Sequence, residues 1–197
     1  MNKKIIFLIF SLIFSQIVNY YVNKRGIEYN QEQLRDPLID NLPFFKGLDK
    51  IYDLLSLPPV FLTIINFDQY PNDNIFLNLG WIYFLRSLCI LVTSIPKLKS
   101  CKIDYQDPQI LFSGGCYDKI FSGHIAFVIT FILYLISYSE QSEYKIIYII
   151  YIIVGSLLSL ITESHYSIDI LISWIVSLTL FLTINRNISI ENLIKLN

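Results

Sequence analysis

"SGHIAFVITFILYLISYS", residues 122–139, contains no Asp, Glu, Lys or Arg and is apolar almost throughout. About 20 mostly apolar residues cover the hydrocarbon core of a bilayer, so this stretch reads as a membrane-crossing helix. Five more mostly apolar runs, each with a single charged residue, lie at 4–22, 51–67, 75–95, 145–162 and 167–184. Together the six account for most of the 197 residues. The expectation is an all-α polytopic membrane protein, a six-transmembrane-helix bundle, with residues 1–197 forming a single membrane domain. Composition agrees: 54% of residues are hydrophobic and 16% charged, where a soluble domain carries about a quarter charged. Mean hydropathy is +0.52. A net charge of −1 gives no footing for nucleic acid as a partner.

The run at 51–67 is the weakest, because it contains Asp53 and the pair Pro58-Pro59, which predict a kink. The first run has a second reading. "MNKK" before "IIFLIFSLIF" fits the charged and apolar regions of a signal peptide, but no small-x-small cleavage site follows. An uncleaved first helix is therefore favoured. Loops are expected at 24–50 and 96–120. The connections at 140–144 and 163–166 are short, so the last three helices should pack as antiparallel neighbours.

His124 and His165 are the only histidines in the chain. Six spans place both at helix N-termini on one face of the membrane. An imidazole near a membrane interior is costly and is a functional candidate by default; the plainer alternative for each is a hydrogen-bonded structural residue. Asp169 follows His165 at i, i+4, a spacing that brings the two side chains together. Its carboxylate can then hold the imidazole tautomer and raise the basicity of the far nitrogen. An ordinary helix-start aspartate is the alternative.

Ser122 suits the N-cap of the fourth helix. Gly123 admits close backbone approach by a ligand, and the helix start favours an anion such as phosphate. Arg86 stands near the middle of "WIYFLRSLCILVTSIP" and needs a partner at that depth. Asp53 or a substrate phosphate would serve, and Arg suits phosphate through its forked donors. Lys97, Lys99, Lys102 and Lys119 read as a solvated basic loop. Three cysteines, Cys89, Cys101 and Cys116, without C-x-x-C and with two histidines, make a zinc site improbable. Cys101 and Cys116 fall in one loop and pair if that loop meets an oxidising compartment; free thiols are the equal alternative. The constellation points to phosphoryl transfer without metal or cofactor. One imidazole attacks phosphorus, the other moves protons, and cations and N–H donors hold the charge.

"CYDKIFSGH", 116–124, resembles the Cys-Gly-Asp-Tyr-Leu-Tyr-Ser-Gly-His-Thr segment of the sphingomyelin synthase branch of the type 2 phosphatidic acid phosphatase superfamily. "HYSIDI", 165–170, is similar to its second histidine segment. "RSLCILVTSIP", 86–96, resembles its Arg-to-Pro segment, and "DPLIDNLP", 36–43, faintly resembles its first loop. The resemblance covers roughly 36 to 185. It implies a nucleophile at His165 supported by Asp169, and proton transfer by His124. It adds Asp118 and Tyr166 to Arg86, Ser122 and Gly123 as substrate-binding residues. It further implies transfer of phosphocholine or phosphoethanolamine from a glycerophospholipid to ceramide, with diacylglycerol released. The partners would be a phospholipid donor and ceramide or another lipid acceptor, with a homo-oligomer left open.

Ile125, Tyr117 and Ser164 depart from the branch's pattern and bear on the head group. A lipid phosphatase or other lipid phosphotransferase is the second reading, although the phosphatase branch has proline and arginine where this chain has Phe121 and Ser159. An inactive membrane scaffold is the third. The expected location is an endomembrane or the plasma membrane. Orientation has two readings. The face bearing the histidines carries nine Lys and Arg against five on the other, which by the positive-inside rule puts it in the cytosol. The resemblance puts it in the lumen or outside.

Overall fold

The computed structural model describes residues 2–29, 32–45, 47–66, 74–93, 95–98, 101, 115–139, 141–188 and 193. Among these the regular structure is entirely helical: α1 (Lys3–Tyr29), α2 (Asp49–Leu54), α3 (Leu57–Ile65), α4 (Asn74–Val92), α5 (Gly123–Tyr138), α6 (Ser142–Ile161) and α7 (Ser167–Ile184), with a 3-10 turn at Ile39–Asn41. The expected loop lysines Lys99 and Lys102 lie outside the described residues.

Four helices, α1, α4, α6 and α7, are long and apolar enough to cross a membrane. The other two apolar segments are shorter, Ile51–Ile65 and Gly123–Tyr138. The first is broken: the chain turns at Leu55 and Ser56 between α2 and α3, and Pro58-Pro59 occupies the first turn of α3. Proline is tolerated in a first turn, where its missing N–H would have no helical partner, and is excluded further in. The sequence pattern foresaw a kink; the outcome is a new helix start.

The 16 residues of α5 reach about 24 Å, short of the roughly 30 Å hydrocarbon core. Position explains the length. α5 packs against α3, α4, α6 and α7, and its residues from Val128 to Ile136 are all buried. A helix enclosed by protein need not match the bilayer. By contrast, α6 and α7 leave Ile147, Ile150, Leu157, Leu171 and Ile175 exposed, the pattern of helices that face an apolar solvent.

α1 packs along α4. Contact is close because Gly80 has no side chain: a Cβ there would sit 2.7 Å from Phe7. Small residues let membrane helices approach in this way. α1 carries a buried polar stripe, Ser11, Ser15, Asn19 and Asn23, recurring every four residues and so aligned on one helix face. At the opposite end of the bundle Tyr134, Asn78 and Asn185 form a buried hydrogen-bonded group.

Candidate active site

The starts of α5 and α7 are tied together. The Ser122 N–H donates to the Asp169 carbonyl at 3.4 Å. The Ser173 hydroxyl donates to the carbonyls of Ser122 and Asp169 at 3.1 and 2.7 Å. One turn on, the Ser177 hydroxyl donates to the Ala126 carbonyl at 3.2 Å. Serines on the inner face of α7 thus satisfy backbone groups of a neighbouring helix at short range. This stitching carries His124, on the first turn of α5, and His165, just before α7, to the same place.

That place is a cavity of about 310 Å³. His124, His165, Arg86, Lys119, Asp118 and Gly123 line it. α1 contributes Leu12, Ser15, Gln16 and Asn19, and Ser56, Tyr83 and Phe127 complete the wall. The sequence pattern offered the two histidines, Arg86 and Gly123, and the resemblance added Asp118. It missed Lys119, which was grouped with solvated loop lysines, and the whole α1 wall. The four-residue recurrence of Ser and Asn in an oily run was the available signal for α1.

His165 is 6% exposed and Asp169 0%. The His165 Nδ1 lies 3.6 Å from Asp169 Oδ2, in contact yet beyond hydrogen-bond length. Asp169 Oδ2 instead accepts the Tyr166 N–H at 3.0 Å. Among the described residues His165 Nδ1 and Asp169 Oδ1 are buried without a hydrogen-bond partner. Burial, followed by the positive charges of Lys119, Arg86 and His124, pushes the His165 pKa well below the usual histidine value. Its imidazole is therefore neutral at neutral pH, with a lone pair available.

Arg86 points into the bundle, and the carboxylate it pairs with is Asp118, where the sequence suggested Asp53. Its Nη2 donates to the Asp118 side chain at 3.1 Å and to the Asp118 carbonyl at 2.7 Å. Nη1 donates to Asn19 Oδ1 at 3.0 Å and Nε to the Phe121 carbonyl at 3.3 Å. Phe121 holds φ at +28°, a conformation that costs a non-glycine residue on the order of 1–3 kcal/mol. Gly123 faces Arg86: a Cβ there would lie 3.2 Å from Nε. Its lack of a side chain thus serves the guanidinium at least as much as any ligand.

Ser122, Tyr166 and Asp169 stand behind the cavity wall, buried. Ser122 caps α5, its hydroxyl accepting the Ile125 N–H and meeting the Tyr52 hydroxyl at 3.1 Å. The Tyr166 hydroxyl donates to the Pro96 carbonyl and accepts the Leu34 N–H. Asp36, from the faintly matching first loop, accepts the Ser167 N–H at 2.6 Å, satisfying a donor that α7 leaves open at its start. Cys101 and Cys116 form a disulfide, which anchors the segment bearing Asp118 and Lys119. Among the described residues no three His, Cys, Asp or Glu side chains converge as a metal-binding group.

The segment that carries the cavity's loop wall and both histidines has a match among known families. Residues 115–186 match the PAP2 superfamily C-terminal family. Two proteins of Oryza sativa, from subspecies indica and japonica, are each 34% identical to this chain over 73 residues. Both are named phosphatidylinositol:ceramide inositolphosphotransferase. The match covers 36% of this chain and 22% of each rice protein, so the chain spans about a fifth of the relatives' length in it. These findings support the PAP2 superfamily and single out no branch of it, sphingomyelin synthases included.

Proposed function

We propose that this chain is an integral membrane lipid phosphotransferase that moves a phosphorylated head group from a glycerophospholipid to ceramide through a phosphohistidine at His165. The observation that carries the reading is the shared cavity, with two imidazoles and two cations around a volume able to hold a phosphodiester. The His165 nitrogen remote from Asp169 attacks phosphorus. The bond from phosphorus to the diacylglycerol oxygen breaks, and protonated His124 gives that oxygen its proton. Neutral His124 then takes the proton of the ceramide hydroxyl as its oxygen attacks phosphorus, and the phosphorus–nitrogen bond breaks. Asp169 orients His165 and offsets the positive charge that the ring gains. With a phosphomonoester lipid as donor and water as acceptor the same site is a lipid phosphatase that releases inorganic phosphate, a reading the superfamily match supports equally.

In this reading α2 with α3 and the enclosed α5 complete a six-helix membrane bundle. Phosphocholine and phosphoethanolamine are the head groups implied by the sphingomyelin synthase resemblance; the rice relatives' name adds phosphoinositol. The test is an assay of purified protein with ceramide and each of the three donor phospholipids, with products identified by mass spectrometry. A ceramide-linked head group is expected from at least one donor. Diacylglycerol with only free phosphorylated head group would mean plain hydrolysis of the phospholipid and would end the transferase reading. Inorganic phosphate released from phosphatidic acid, with no turnover of the three donors, would establish the phosphatase reading, and no turnover of any of these lipids would end both.

A further inference from the structure

Two cations line the cavity, and they are not equivalent. Arg86 spends four of its N–H donors on Asp118, Asn19 and Phe121. A guanidinium has five, so one N–H, on Nη1, remains, whereas a bidentate grip on phosphate uses two. Its charge is already met by Asp118 at 3.1 Å. Lys119 lies beside it in the cavity wall, half-buried; among the described residues no carboxylate forms an ion pair with it, although Asp118, Asp169 and Asp53 lie near enough to favour its charge. The Cys101–Cys116 disulfide fixes the backbone three residues before it.

We propose that Lys119 is the residue that holds the phosphoryl oxygens of the substrate, and that Arg86 is a positioning residue that builds the wall. This rests on the phosphotransferase reading for the identity of the substrate, but not for the binding of phosphate. An ammonium is a compact point charge with three rotatable donors, suited to a group whose geometry changes as the phosphorus–oxygen bond breaks. Burial lowers the Lys119 pKa from its ordinary value. An arriving phosphate favours the charged ammonium and so binds to a group whose cost of burial is already met by the fold.

The probe is inorganic phosphate, measured on the full chain in detergent by calorimetric titration, beside the unliganded melting temperature and the ceramide transfer assay. Lys119→Gln is expected to weaken phosphate binding at least about tenfold, the size of one charge-assisted contact. Its unliganded melting temperature should stay near wild type, and its loss in transfer should fall mainly on KM. Lys119→Arg should recover most of the binding. Arg86→Gln should lower the melting temperature. Phosphate binding unchanged in Lys119→Gln overturns the proposal, as does a wild-type chain that binds no phosphate. Because binding is read without lipid, a chain that binds phosphate through Lys119 yet transfers no head group leaves this inference standing and removes the transferase reading.

Discussion

At the residue scale the site depends on how charge is distributed over four side chains. The His165 pKa is held below the ordinary value by burial first, then by Lys119, Arg86 and His124. A base with a lowered pKa keeps its lone pair as pH falls and loses it only below that lowered value. The acid limb of kcat/KM should therefore lie below about pH 6.5. Removing one of the cations relaxes the effect, so Lys119→Gln should move that limb to higher pH. A limb at or above 6.5 that ignores Lys119→Gln would remove the neutral-nucleophile account. Asp169→Asn should slow transfer by roughly 10²- to 10⁴-fold while leaving the protein folded, checked by single-turnover rates beside a melting curve. Arg86→Lys loses the fork that reaches Asp118, Asn19 and Phe121 at once. Lys keeps the charge but cannot make these bonds together, leaving buried acceptors unmet at about 1–3 kcal/mol each, so we expect a clear fall in melting temperature, not a purely kinetic defect.

At the element scale the helices were legible where length and hydropathy act alone. The run at 167–184 coincides with α7, and 75–95 with α4 to within three residues at either end. The run at 122–139 also matches α5 to within one residue at either end. Other features depend on tertiary neighbours, which sequence pattern does not show. α1 runs seven residues past the expected end at 22, and the segment after residue 50 restarts at its prolines. The site was legible where chemistry is rare. Two histidines in an oily chain stand out, whereas Lys119 among loop lysines and Asn19 in an apolar run look ordinary until the fold brings them to Arg86. α1 is thus part of the site as well as an anchor. Gly80→Val should push α1 off α4, since even a single Cβ there meets Phe7 at 2.7 Å. Overpacking of this kind costs about 1–3 kcal/mol, and Asn19 moves with α1. Thermal melting and transfer activity should both decline; a variant with wild-type values for both would show that α1 does not support the site.

At the scale of the whole molecule, orientation and chemistry meet. The Cys101–Cys116 disulfide is of a kind that persists in an oxidising compartment; in the proposed reading the cavity mouth would then face away from the cytosol, against the count of Lys and Arg. An engineered glycosylation acceptor in the connection between α1 and α2 should be modified if this holds, while one at the C-terminus should not. Closing a loop of sequence separation 15 is worth about 3 kcal/mol, so Cys101→Ser should also lower the melting temperature. The central claim is the covalent intermediate. Purified protein is mixed with donor phospholipid labelled in its phosphate, without ceramide, quenched in base to preserve phosphohistidine, digested and mapped by mass spectrometry. The account predicts a head-group phosphate on His165, absent from His165→Ala and discharged when ceramide is added. Label on no histidine during demonstrated turnover, or label on His124 with His165→Ala still charging, would contradict it.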